Sequence, residues 1–241
     1  MAICNVVGST ITREVGEENT LYTYAGPEIA VASTKAYITQ SELMVMLAVA
    51  LADLRGQISP ERAAQLMEGL ADLPRKAEQA LAVEEQLQRL TSMLSQKRHV
   101  FFVGRGMDYA LSMEAALKLK EVSYIFSEAY AAGELKHGPI SLIEDGTLVI
   151  ALATDARLFD KMMSNIKEVK ARGAVVLGVA TEDKKEIAGQ TDMVFYIPKT
   201  ASFMLPSLSV IPMQLFAYYV ASMKGCDIDK PRNLAKSVTV E

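Results

Sequence analysis

Short apolar runs that alternate with helical patterns constrain the fold of residues 100–224 more than any other feature. The predicted strands are Val100–Val103, Ser123–Phe126, Leu148–Ala153, Val175–Ala180 and Met193–Ile197. The predicted helices span about 109–122, 156–171 and 206–224. Strands that alternate with helices at this spacing predict an α/β fold, in which helices cover both faces of a parallel sheet and make three α/β/α layers.

The amino-terminal part of the chain repeats the end of that pattern. Strands are predicted at 2–7 and 20–25, and a helix is predicted at 35–54. The same strand–strand–helix order recurs about 172 residues later, where a further strand–helix stretch precedes it. The repeat predicts that residues 1–56 are the carboxyl-terminal part of a first α/β subdomain. The alternative is coincidence, because strand–strand–helix is a common order.

A polar region separates the two copies. Residues 57–95 are rich in Leu, Ala, Glu and Gln, and they are predicted to form a linker of two helices with one break at Pro74. Ser59 is the expected N-cap, followed by a proline at the first helical position. Residues 96–224 are then a complete second subdomain, and residues 225–241 are a tail.

The composition excludes several classes of protein. The chain has 241 residues, half of them apolar, and a net charge of −4. These values exclude an intrinsically disordered chain. The slightly negative net charge also provides no overall positive potential that would attract nucleic acid. Two cysteines and two histidines are scattered without ligand spacing, so neither a disulfide framework nor a metal site is predicted. No cofactor is predicted, and the scarcity of cysteine fits the reducing cytoplasm.

The apolar runs are too short for a membrane span. The longest, Leu43–Ala52, has ten residues, whereas a span takes about 20. This run is therefore predicted to be a buried helix, and no membrane association is expected. The amino terminus has no basic flank and no long apolar core, so no targeting segment is predicted.

Ionisable side chains on one helix face are the first candidates for chemistry. Lys118 lies three residues before Glu121 and four after Glu114, so the three are neighbours on a helix. A carboxylate beside an ammonium can move a proton while the ammonium stabilises the developing charge. A solvated ion pair is the alternative.

Turns supply further candidates. His137 lies in the turn Lys136–Pro139 and either titrates near neutrality or is a hydrogen-bonded surface histidine. Gly104–Gly106 lies between a strand and a helix, where N–H groups can hold an anion, although a tight turn has the same signature. The loop Thr154–Phe159 carries an acid and no Ser/Thr/Gly cluster, so it is not expected to hold a phosphate. His99 is expected to be structural or solvated.

The tail Lys230–Glu241 has no helical or strand period of useful length. Such tails are usually frayed. If the tail is held near a sheet edge, Lys236 is instead a candidate Schiff-base nucleophile.

Three stretches together resemble one known family. Residues 26–36 (GPEIAVASTKA), 134–139 (ELKHGP) and 231–241 (PRNLAKSVTVE) resemble the carboxyl-terminal sugar-isomerase (SIS) region of the glutamine–fructose-6-phosphate aminotransferases. The resemblance covers essentially the whole chain and implies flavodoxin-like SIS subdomains. It also implies a glutaminase domain in the full-length protein. A Ser/Thr-rich loop that binds the sugar phosphate is implied before residue 1. Cys4 lies in a predicted strand and does not match the glutaminase nucleophile.

The resemblance implies roles for individual residues. Glu121 matches the carboxylate that moves a proton between C1 and C2 of the open-chain sugar, and Lys118 matches the lysine that assists it. His137 matches the ring-opening histidine, which reaches the site of the neighbouring subunit. Lys236 matches the lysine that forms a Schiff base with the ketose carbonyl. Main-chain contacts to the sugar are implied for Val31 and Ala235.

The implied activity is the conversion of fructose 6-phosphate and glutamine-derived ammonia to glucosamine 6-phosphate, by a cytoplasmic homodimer. This chain alone is expected to be inactive or nearly so, because the phosphate loop is missing. One alternative is a catalytically silent phosphosugar-binding or dimerisation module, which would bind fructose 6-phosphate weakly without isomerising it. Another is an SIS-family sugar-amine deglycase, for which the tail with Lys236 is not expected.

Overall fold

The computed structural model of the protein describes residues 1–94, 98–232 and 234–236. The strands are β1 (Ala2–Cys4), β2 (Thr20–Tyr22), β3 (His99–Gly104), β4 (Phe126–Ala131), β5 (Leu148–Leu152), β6 (Val175–Thr181) and β7 (Met193–Ile197). The α-helices are α1 (Thr10–Val15), α2 (Lys35–Leu54), α3 (Pro60–Ala71), α4 (Leu73–Leu81), α5 (Glu84–Leu94), α6 (Met107–Ser123), α7 (Phe159–Lys170) and α8 (Leu205–Met223).

Strands β3 to β7 form one parallel sheet in the order β4–β3–β5–β6–β7. Helices α6 and α8, together with α4 and α5, cover one face. Helix α7 and the 3-10 helices Ala132–His137 and Pro139–Leu142 cover the other. The three α/β/α layers confirm the predicted fold class.

The central strands are apolar throughout because both faces of the sheet are covered. Along β3, Val100 and Phe102 pack on the α6–α8 side, whereas Phe101 and Val103 pack on the α7 side. Every residue of β5 is fully buried. This double burial explains why these strands are visible in the sequence as unbroken apolar runs.

A second, two-stranded sheet lies at the amino terminus. Strands β1 and β2 pair in parallel, with Ala2 opposite Thr20, and α2 follows them. Strands β6 and β7 also pair in parallel, and α8 follows them. The strand–strand–helix repeat is thus present in the structure. The domain boundaries stay predictions, and residues 233 and 237–241 of the predicted tail lie outside the described part.

Leu43–Ala52 is helical, as predicted, but the prediction that this helix is buried was wrong. In α2, which contains this run, only Val49 is buried. One side of α2 contacts α3 and α8, but the described residues leave the other side uncovered, with Met44 and Leu51 about half exposed. By length and composition, α2 and the helical stretch Ser202–Met223 are both apolar enough to cross a membrane. The second is mostly buried in the core of this fold.

Two element predictions need correction. The linker has three helices, α3 to α5, instead of two. The predicted break near Pro74 is present, because α3 ends at Ala71 and Pro74 lies in the first turn of α4, where a missing N–H costs nothing. A second break, at residues 82–83, separates α4 from α5. The strand predicted near Ser123–Phe126 lies further along the chain. Helix α6 runs on to Ser123, and β4 begins only at Phe126. Ser59 does cap α3, accepting a hydrogen bond from the Arg62 N–H.

Candidate active site at the end of helix α6

The last turns of α6 carry the strongest candidate site. Lys118 is only 5% exposed. Its Nζ lies 2.7 Å from Oε2 of Glu121 and 3.6 Å from Oε1 of Glu114. Lysine is almost never buried to this extent unless it is paired. The three side chains therefore share one face as predicted, and the ammonium is not a solvated ion-pair partner.

The two carboxylates next to Lys118 differ in their environment. Burial raises the pKa of Glu114, the Lys118 ammonium offsets part of that effect, and the charge of Glu121 raises the pKa again. The Glu121 side chain is more exposed than that of Glu114 and makes the shorter contact to the ammonium. Glu121 is thus the carboxylate that combines a fixed position with an open side, as a proton-transferring group requires.

Tyr124, directly after α6, anchors the tail. Its φ of 60° is left-handed, a conformation that ends many helices. Its hydroxyl accepts a hydrogen bond from the Arg232 N–H at 2.7 Å. The guanidinium carbon of Arg232 lies 4.2 Å from the centre of the Tyr124 ring. The tail therefore contacts the chain three residues beyond Glu121.

The loop before α2 forms a second wall of the site. Glu28 accepts hydrogen bonds from Ser33 Oγ at 2.6 Å and from the Thr34 N–H at 2.7 Å. Burial by itself raises the pKa of Glu28, but these hydrogen bonds outweigh it and hold the pKa below its usual range. The loop is thus closed on an ionised carboxylate, which fixes the backbone of residues 29–32 between its two ends.

Two hydrogen bonds join the tail to this loop. The Val31 N–H donates to the Asp229 carbonyl at 2.9 Å. The Lys236 Nζ donates to the Ala30 carbonyl at 2.7 Å, and Ala235 is exposed beside it. Residues 31, 235 and 236 therefore meet at one place, where a tail expected to be frayed is held against the loop.

A small cavity connects that place with the buried lysine. It has a volume of about 80 Å³ and lies between α6, α8 and the loop before α2. Ala30, whose carbonyl holds Lys236, lines it together with Thr34 and Lys118. The structure thus gathers Lys118, Val31 and Lys236 on one side of the sheet, with Glu121 at the side of Lys118.

His137 lies on the other face of the sheet. The 3-10 helix Ala132–His137 packs through Leu135 on the α7 side, whereas Lys118 belongs to α6 on the opposite side. The His137 side chain is 75% exposed, and its Nε2 lies 3.6 Å from Oε2 of Glu134. Within one chain, the structure does not bring His137 to Lys118.

The Asp108 side chain joins the turn after β3 to the turn after β5 by hydrogen bonds. Asp108 is 5% exposed and accepts hydrogen bonds from the Thr154 N–H at 2.7 Å and the Asp155 N–H at 3.1 Å. Asp155 in turn accepts three hydrogen bonds from Arg157. The N–H groups of Thr154 and Asp155, at the carboxyl end of β5, are therefore already occupied, in agreement with the sequence of this loop.

Sequence reasoning missed the residues that position the site: Glu28, Tyr124 and Asp229. Glu28 accepts several hydrogen bonds within its own loop. Tyr124 and Asp229 each accept a hydrogen bond that joins parts of the chain that are far apart in sequence. The one signal available was the acid between Gly26-Pro27 and a Ser-Thr pair. In the described part of the chain, no group of three or more His, Cys, Asp or Glu side chains is arranged to hold a metal ion.

The sequence of the chain matches curated relatives over its whole length. Glutamine–fructose-6-phosphate aminotransferase (isomerising) from Clostridium tetani is 56% identical over 241 residues, which are 100% of this chain and 39% of that protein. The chain therefore spans about two fifths of the length of such relatives.

Solved structures share the fold. The C-terminal domain of glucosamine-fructose-6-phosphate aminotransferase from Francisella tularensis superposes with a TM-score of 0.90 at 37% identity, over 95% of this chain and 64% of that one. Glucosamine-6-phosphate deaminase from Thermotoga maritima superposes with a TM-score of 0.72 at 27% identity, over 99% and 66% of the two chains. The family model of the SIS domain matches residues 93–224. The chain belongs to the SIS-domain family.

Proposed function

We propose that this chain is the sugar-isomerase part of a glutamine–fructose-6-phosphate aminotransferase. The whole enzyme converts fructose 6-phosphate and glutamine-derived ammonia to glucosamine 6-phosphate. The observation that carries the proposal is the position of Lys236, held by the Ala30 carbonyl at the rim of the cavity that Lys118 lines. The name and the 56% identity of the Clostridium tetani protein support it.

The geometry suggests a chemical role for each of these residues. Lys236 leaves the Ala30 carbonyl and its amine adds to the C2 carbonyl of the ketose, so that an imine forms and water leaves. Ammonia then adds to the imine carbon and the lysine amine leaves, so that the nitrogen at C2 is that of ammonia. Glu121 takes a proton from C1 and returns one to C2, which leaves the aldehyde at C1. Lys118 holds Glu121 in place at 2.7 Å. Main-chain groups of Val31 and Ala235 face the sugar.

The exposed position of His137 suggests a dimer. Since His137 lies across the sheet from Lys118, it can open a sugar ring only in the site of another subunit. The nearby surface carries exposed Phe126 and Leu142, about 60% exposed each, around a cavity of about 540 Å³ that His99 also lines. A homodimer that buries this surface would carry His137 toward the partner's site.

The uncovered side of α2 supports a second expectation. A parallel sheet of two strands is too small to be stable alone, and parallel sheets are normally covered on both faces. The preceding part of a first SIS subdomain would cover α2 and extend β1–β2. In the longer protein, that part would hold the sugar phosphate and a glutaminase domain would supply ammonia, in the cytoplasm.

A second candidate function is phosphosugar binding without turnover. The absence of turnover is favoured by Asp108, which occupies the N–H groups of Thr154 and Asp155, so that this turn offers neither of them to a sugar phosphate. The chain by itself would then bind fructose 6-phosphate weakly and not isomerise it.

Borohydride trapping tests the proposal. The chain is incubated with fructose 6-phosphate and borohydride, and its intact mass is measured beside Lys236→Ala and the control Lys230→Ala from the same tail. The full-length Clostridium tetani relative is treated in parallel. We expect a sugar adduct on the wild type and the control that is absent from Lys236→Ala. An adduct that persists in Lys236→Ala, or no adduct on either protein, would overturn the role of Lys236.

A further inference from the structure

One polar atom in the cavity beside Lys118 has no partner. Gln214 on α8 lines this cavity opposite α6, and its Nε2 is buried without a hydrogen-bond acceptor in the part of the chain that the structure describes. Apolar residues Ala32, Val122 and Ala217 also line the cavity. A buried donor that lacks an acceptor costs about 1–3 kcal/mol, so such atoms are rare and call for a reason.

The neighbouring charges do not satisfy this donor. Lys118 carries only donors, and its ammonium is directed to Glu114 and Glu121. The cavity of about 80 Å³ is much larger than the roughly 10–15 Å³ that one water needs. Gln214, with its unpaired amide donor, and Lys118 line the same small space. Such a lining suits a ligand with several acceptor oxygens, such as the hydroxyls of a sugar.

We propose that Gln214 is a substrate-binding residue, whose amide N–H donates to a hydroxyl oxygen of the open-chain sugar held beside Lys118. This inference rests on the proposed function and names a contact on the α8 side of the cavity. The amide is left unpaired in the free protein, and its cost is recovered when the sugar supplies the acceptor. Gln214 therefore favours ligands with a hydroxyl at this position.

Two measurements on one variant separate a binding role from a structural one. Gln214→Met keeps the length of the side chain and removes the donor. Replacing an unpaired donor by an apolar group of similar shape is neutral or stabilising, so the melting temperature of the ligand-free chain should stay the same or rise. The affinity for fructose 6-phosphate, measured by calorimetry, should fall about three- to tenfold, the loss of one hydrogen bond.

Gln88→Met is the matched control, since the Gln88 amide donates to the Tyr219 hydroxyl at 3.0 Å on the surface. It should leave the affinity for the sugar unchanged. Equal affinity of wild type and Gln214→Met, or a clear fall in the melting temperature of Gln214→Met without ligand, would overturn the assignment of Gln214 alone. A wild-type chain that neither binds the sugar nor forms the Lys236 adduct would overturn the proposed function and this inference together.

Discussion

A single buried ammonium decides the character of the candidate site. Lys118 is desolvated, and two carboxylates on its own helix compensate it. Removing one partner of a buried ion pair costs more than the pair contributes, because the remaining charge has lost its partner. In this site the cost is limited, because Glu121 stays partly open to water and burial already raises the pKa of Glu114 toward the neutral form.

We therefore expect Lys118→Met to lower the free energy of unfolding by about 1–3 kcal/mol, measured by urea denaturation near pH 7. Lys120→Met is the control on the same helix, because Lys120 and its partner Glu128 are both about 40% exposed. An exposed pair contributes at most about 1 kcal/mol. Equal losses for the two variants would show that Lys118 is not buried in solution.

At the scale of elements, the sequence predicts the apolar strands, including the edge strand β7, and misplaces the more polar edge strand β4. Strands β3, β5 and β6 are covered on both faces and were visible as apolar runs. Strand β4 is the edge of its sheet, carries polar Ser127 and Glu128, and was placed too early. The spacing of Lys118 and Glu121 showed their pairing. The meeting of Lys236 with Ala30 was not visible, because it depends on a contact over 206 positions.

The hydrogen bond that the Tyr124 hydroxyl accepts from the Arg232 N–H should hold the tail against the end of α6. Tyr124→Phe keeps the ring under Arg232 and removes the hydroxyl that accepts its N–H. We expect hydrogen exchange at Arg232 and in the following described residues to become faster, while the melting temperature changes by less than about 1 °C because the tail adds little to the core. Tyr130→Phe, on β4, should leave exchange in the tail unchanged. Unaltered exchange in Tyr124→Phe would mean that the anchor is not formed in solution.

The molecule as a whole has one well-covered sheet and one exposed apolar helix. Residues 98–224 are built around a sheet with two covered faces, whereas α2 presents Met44, Leu51 and Leu54 to solvent. An apolar surface of this kind normally marks an interaction site. The chain should therefore associate through α2 when no covering partner is present.

We expect the double variant Met44→Glu/Leu51→Glu to reduce concentration-dependent association, measured by light scattering after size exclusion, without lowering the melting temperature. Met223→Glu, at the exposed end of α8, serves as the control and should associate like the wild type. Association that is the same in all three proteins would place the contact elsewhere on the surface.

The hydrogen bond from Lys236 to Ala30 also has a consequence for how the protein is made. The last strand of the sheet, β7, ends at Ile197 and Lys236 follows later in the chain, so a ribosome synthesises all of β3 to β7 before it adds residue 236. The site is therefore the last part of the fold to be assembled. A translation product that stops before residue 229 would keep the sheet and the buried Lys118, but it would lack Lys236, the proposed nucleophile.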